Sequence, residues 1–178
     1  GVGLDLEYGL GTGMTLVGAV NPDFGQVEVD PAVVNLTAFE TFFEEKRPFF
    51  TEGSQVFLRF GRSGASEYTT YYYPEPQLFY SRRIGRAISS DEIDLPDNGR
   101  IEEVPQHVAI LGAAKVSGKT NGGLSLGILE AVTKREKAIA SDAAGFRSGR
   151  IVEPLAHYNI IRLKQDVLDG SNVGMIFT

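Results

Sequence analysis

The stretches GLSLGILEAVT (123–133) and HYNIIRLKQDV (157–167) decide the fold class. In the first, Leu124, Leu126, Ile128 and Val132 share one face, interrupted by Glu130. Ser125, Gly127, Ala131 and Thr133 share the other, with Leu129 as its exception. In the second, Ile161, Leu163 and Val167 stand opposite Tyr158, Arg162, Lys164 and Asp166. A period of two over strand-length segments is the signature of β-strands with chemically different faces. The segments HVAILGAAKVSG (107–118) and SNVGMIFT (171–178) are of strand length too. Asn121-Gly122-Gly123 and Asp169-Gly170-Ser171-Asn172 between them supply hairpin chemistry. The expected fold is mainly β, an antiparallel up-and-down meander in which short turns alternate with a longer loop at 136–150.

Working outward, residues 1–20 read as a first hairpin. Leu4, Leu6 and Tyr8 alternate with Asp5 and Glu7, a Gly-rich turn follows, and Met14 to Val20 form the returning strand. Residues 21–106 read as an irregular insert, and long insertions of this kind are commonly functional. Within it, 35–43 is predicted as a short helix. Asn35 is its cap, Leu36, Phe39 and Phe43 form one face, and Pro48 is the stop after Lys46-Arg47. Residues 26–30, 55–60 and 78–84 are predicted as short strands. Residues 107–178 read as the β-meander.

Composition narrows the chemistry. The 178 residues carry a formal charge of −6, which argues against nonspecific nucleic-acid binding through a basic surface. There is no Cys, so disulfides, thiolate zinc sites and cysteine nucleophiles are excluded. Two His give no imidazole-rich metal site. No G-x-S-x-G elbow is present, and Ser117-Gly118-Lys119-Thr120 lacks the spacing of a phosphate loop. No metal, cofactor or catalytic set is expected. The longest uncharged apolar run is far too short for a spanning helix, whereas a spanning strand needs only ~9–11 residues. A transmembrane barrel wall and a soluble β-sandwich share the same dyad pattern, and periodicity alone leaves both open.

Further pieces are more specific. They are the block NPDFGQVEVDPAVVNLTAFETFFEEKRPFFTEG (21–53), then LFYSRRIGR (78–86), ILGAAKVSGKT (110–120) and EPLAHYNIIRLKQD (153–166). In that order they resemble a bacterial family of uncharacterised outer-membrane proteins. Its members carry an N-terminal domain like the family-nine carbohydrate-binding module, followed by a β-barrel. The resemblance implies that this chain is a fragment of the barrel region in the outer membrane of a Gram-negative-type bacterium. The implied partners are outer-membrane lipid, polysaccharide, the remaining barrel strands and the module-like domain. The implied role is non-enzymatic binding or passage of a carbohydrate or envelope ligand. A soluble carbohydrate-binding module and part of a glycoside hydrolase are the alternatives.

Two sets of residues are candidates for the site. Tyr71, Tyr72, Tyr73 and Tyr80 with Arg82, Arg83 and Arg86 combine rings that stack on sugars with guanidinium groups that grip phosphate. Asp23, Glu28, Asp30, Glu44, Glu45, Lys46, Arg47 and Glu52 form a charged set whose ordinary use is ion pairing within the fold. The SRRIGR segment is its expected partner. Glu44, Glu45 and Glu52 offer the paired carboxyls that a glycosidase reading would use.

Overall fold

The structure is a computed structural model. It describes residues 2–11, 13–22, 43–58, 64–65, 72–73, 78–90, 93, 95, 99–168 and 170–178. In chain order the strands are β1 (Leu4–Gly11), β2 (Met14–Val20), β3 (Gly64–Ala65), β4 (Tyr72–Tyr73), β5 (Arg100–Glu103) and β6 (Ile110–Lys119). They continue with β7 (Leu124–Thr133), β8 (Glu136–Ser141), β9 (Arg147–Glu153), β10 (Ala156–Leu168) and β11 (Ser171–Phe177). Two single-turn helices, α1 (Pro48–Thr51) and α2 (Gln55–Leu58), and a 3-10 turn at Ser81–Arg83 lie in the insert. The protein is mainly β, with antiparallel sheets.

The main sheet has the order β1-β2-β6-β7-β10-β11, so each strand pairs with its neighbours in this chain order. A second sheet, β5-β8-β9, continues three of its arms. β7 runs on into β8, and β9 into β10, with Thr133 opposite Ala156 and Glu136 opposite Glu153. β5 extends β6 in the same way, with Arg100 opposite Ser141. The turns β1–β2, β6–β7 and β10–β11 are tight. Gly13 (φ 72°) and Gly123 (φ 81°) occupy left-handed positions that a side chain would strain. The connections β2–β6 and β7–β10 are long, and both leave from the opposite end of the sheet. At that end Asn21 (φ 45°) turns the chain away from β2, its amide donating to Leu111 O at 2.9 Å. Among the described residues β1 and β11 do not pair with each other, so the sheet stays open.

Register places whole rows of side chains on one face. Tyr8, Leu16, Val116, Ile128, Ile161 and Phe177 are successive cross-strand partners over all six strands. Met14, Gly118, Leu126, Leu163 and Met175 make the neighbouring row. The opposite face carries the rows Val17–Lys115–Leu129–Ile160 and Thr15–Ser117–Gly127–Arg162–Ile176.

Packing falls on one of these faces only. On the four central strands every fully buried residue lies on the second face, Lys115, Ser117, Gly127, Leu129 and Arg162 among them. Phe49, Phe50, Phe57 and Ile84 from the insert cover it and complete the core with Ala19, Ala113 and Ile160. No residue of the Leu- and Ile-rich face is fully buried. At its edges Leu4, Leu6, Tyr8, Val173, Met175 and Phe177 are exposed.

Four local expectations are corrected. Residues 136–150, expected as a longer loop, form most of the β8–β9 hairpin, because Ala138 and Ala140 are buried on one face of β8 and the two segments pair in register. Residues 55–58 are helical rather than extended, because the turn after α1 folds back on itself. The Val56 amide donates to Gly53 O and the Phe57 amide to Ser54 O. Residues 81–83 form a 3-10 turn rather than part of a strand, closed by Ile84 N donating to Ser81 O at 2.9 Å. Pro48 opens a helical turn instead of ending a helix. Its fixed φ and missing N–H suit the first helical position. The predicted helix at 35–43 and strand at 26–30 lie outside the described residues, apart from Phe43, which is not helical.

Candidate functional site

The insert is assembled around one buried cation. Arg47 is 7% exposed. Its Nε and Nη2 donate to the two carboxylate oxygens of Glu45 at 2.8 and 2.7 Å, a bidentate pair. The remaining donors reach the 3-10 turn: Nη1 to Ile84 O at 2.6 Å and Nη2 to Ser81 O at 2.9 Å. Ser81 Oγ donates to Glu45 Oε2 at 2.6 Å. The guanidinium lies 4.2 Å from the centre of the Phe50 ring. Arg47 therefore joins two segments far apart in sequence, and both backbone and side-chain acceptors are satisfied around it.

Burial works against ionisation of Glu45 and is the largest single influence on it. The hydrogen bonds from Arg47 and Ser81, with the Arg47 charge, outweigh it and hold the carboxyl below its ordinary range. Glu45 is thus kept ionised, the reverse of the raised carboxyl a glycosidase acid needs. Glu44 is exposed, and its carbonyl accepts from Arg82 Nη1 at 2.8 Å. Glu52 is exposed, and its carbonyl is a partner of Lys115. Lys46 is exposed and has contacts of its own. Asp23, Glu28 and Asp30 lie outside the described residues.

The aromatic and basic candidates are placed as follows. The Tyr80 hydroxyl accepts from the Phe43 amide at 2.8 Å and donates to Phe43 O at 3.3 Å. Arg82 stands 5.8 Å from the Phe43 ring centre. The Arg83 carbonyl accepts from the Tyr158 hydroxyl of β10 at 3.5 Å. Arg86 forms an ion pair with Glu153 of β9. Tyr72 and Tyr73 make β4, paired with β3. Tyr71 lies outside the described residues. Tyr80 and Arg82 thus meet the 43–44 segment, while Arg83 and Arg86 tie the turn to the sheet.

Sequence reading missed the residues that receive the insert. Lys115 of β6 is 1% exposed. Its ammonium donates to the carbonyls of Phe49 and Glu52 and lies 4.9 Å from the Phe49 ring centre. On β7, Gly127 leaves room for the next turn of the insert. A Cβ there would come within 2.8 Å of the Phe57 ring and of Val56 Cγ1. Arg162 of β10 is also buried, its Nη1 donating to Leu163 O and Met175 O. The available signal was a long cation alternating with Ala113 and Ser117 on a small-residue face. Among the described residues no group of three His, Cys, Asp or Glu is placed to hold a metal. No described helix is long and apolar enough to cross a membrane.

These features define an antiparallel all-β protein with an insert clamped onto one sheet face. The whole chain, residues 1–178, matches the family described as domain of unknown function (DUF5916), and the protein belongs to that family. No curated protein and no solved structure matches it.

Proposed function

We propose that this chain forms part of the wall of a transmembrane β-barrel in the outer membrane of a Gram-negative-type bacterium. The observation that carries the reading is the sidedness of packing. In water, the hydrophobic effect buries the most apolar face of a sheet. Here the Leu- and Ile-rich face is left open, and the face with Lys115, Ser117, Gly127 and Arg162 is covered. That arrangement suits a wall with lipid outside and a polar, filled interior.

Further geometry supports it. β6 and β7 are ten residues each, within the ~9–11 that a tilted spanning strand requires. Tight turns at one end and long connections at the other match the asymmetry of outer-membrane barrels. Glu130 and Asn159, direct partners across β7 and β10, interrupt the apolar rows towards the long-connection end. The smallest bacterial barrels of this kind have ~8 strands, so further strands would pair with β1 and β11 and close the wall. In this reading the open face meets lipid. The role is docking or surface handling of an envelope or carbohydrate ligand.

The test is made on the full-length protein. Cell envelopes are fractionated, and gel mobility is compared before and after boiling in detergent. Recovery in the outer membrane with a heat-dependent shift is expected. Recovery in the soluble fraction without a shift would falsify the barrel reading.

A further inference from the structure

We propose that residues 43–58 are a resident plug, fixed to the inner wall and sealing the lumen against solutes at the level of α1 and α2. The inference rests on the barrel reading and adds what fills the barrel. Its grounds are two attachments to the neighbouring strands β6 and β7 and a third within the insert, each of a different physical kind.

The first is electrostatic. The Lys115 ammonium is buried beneath α1, bound to the Phe49 and Glu52 carbonyls and faced by the Phe49 ring. Lifting α1 would strip a buried cation of its acceptors, a costly step in a low-dielectric interior. The second is steric. Gly127 on β7 lets Phe57 and Val56 seat directly on the sheet. Gly53 passes over Ser117 on β6 so closely that a Cβ built at 53 would lie 3.3 Å from Ser117 Cβ. The third lies within the insert, where Arg47 fastens the plug to the Ser81–Ile84 turn. Ile84 there is fully buried and belongs to the core beside Ile110.

These contacts lie at the height of the apolar rows. Lys115 sits between Ala114 and Val116, and Gly127 between Leu126 and Ile128, on strands that carry both faces. The insert therefore crosses the inner wall at mid-strand rather than resting on the rim. A movable lid keeps few buried contacts where it docks. This segment instead places Phe49, Phe50 and Phe57 in the core.

Residues 1–178 hold no cysteine, so a crosslink between two introduced thiols can be read directly, in the full-length protein with any cysteine outside this chain replaced by Ser. Gly53→Cys with Ser117→Cys brings two thiols to a Cβ separation close to that of a disulfide, at the cost of a side chain in the left-handed region at 53 (φ 60°), so the pair is scored only in protein that keeps the heat-dependent shift. The expected result is a crosslink in the folded, outer-membrane protein when a mild oxidant is added to take up the two electrons of the thiol pair. In planar bilayers, both the wild type and the crosslinked protein should be silent. Adding Lys115→Met to the cysteine pair should lower the crosslink yield while the heat-dependent shift persists. Steady open-channel conductance of the heat-shifting wild type would overturn the plug, and so would failure of the pair to crosslink. An unchanged yield with Lys115→Met would overturn the pin. Loss of the heat-dependent shift in the wild type itself would strike the barrel reading instead.

Discussion

The two faces of the main sheet have the same strands, the same register and opposite fates. One carries Tyr8, Leu16, Val116, Ile128, Ile161 and Phe177 and is left open. The other carries Lys115, Ser117, Gly127 and Arg162 and is buried under the insert. Packing here follows shape and polar satisfaction rather than hydrophobicity. Small residues admit Phe57 and the α1 backbone, and Lys115 supplies donors for carbonyls that a short helix leaves unsatisfied. Under the proposed barrel reading, the more hydrophobic face meets lipid.

The strongest way to break this contrast is at the cation that organises the covered side. Arg47→Ala leaves Glu45 buried without its partner and should destabilise the protein by ~3–5 kcal/mol. Urea unfolding of the purified protein in detergent measures it, and a loss near zero would show that the insert does not depend on the pair. On the open side, Ile128→Arg should cost ~2–4 kcal/mol in a bilayer if this row is at mid-membrane. In water the half-buried Ile128 would lose only its cross-strand contacts and the arginine head would stay solvated, so the same change should cost about 1 kcal/mol or less, and reconstituted stability separates the two cases. Gly127→Leu should cost ~1–3 kcal/mol by overpacking against Phe57 and Val56. It should also raise proteolytic cleavage within 43–58, whereas an unaltered digestion pattern would mean the insert does not sit on β7.

Acid sharpens the comparison by acting on one side only. The folded Glu45 carboxyl titrates below its ordinary value of 4.5. Its stabilising contribution is thus fully present above that value and lost as pH falls through the lower folded value. Protease resistance of 43–58 should decline in that acid window, and Glu45→Gln should weaken the dependence. The smallest effect is expected far from both faces. Phe146, 75% exposed at the tip of the β8–β9 hairpin, should tolerate Ser within ~0.5 kcal/mol. A larger loss there would reveal a contact of the hairpin with another part of the full protein.

Much of the scaffold was legible in sequence because alternation and turn chemistry are local. The faces of β7 and β10 follow from a period of two, and the β6–β7 hairpin from Asn121-Gly122-Gly123. The insert was harder. Gln55–Leu58 has an apolar run that suits a strand as well as a helix, and the fold-back after α1 settled the matter. Glu45 and Arg47 were visible as charges and the SRRIGR segment as their expected partner, but that the contact runs through the Ser81 hydroxyl and the Ser81 and Ile84 carbonyls was not.

By itself the sequence determined which residues share a face, where the tight turns fall, and that thiol chemistry is absent. Those properties depend on neighbours a few positions apart. Only the tertiary structure decided which face is covered, that Lys115 lies beneath α1, and that Arg47 reaches across to Ser81 and Ile84. Such contacts join segments separated by tens of residues. Their free energy comes from burial and from acceptors supplied by distant backbone, so no local pattern encodes them.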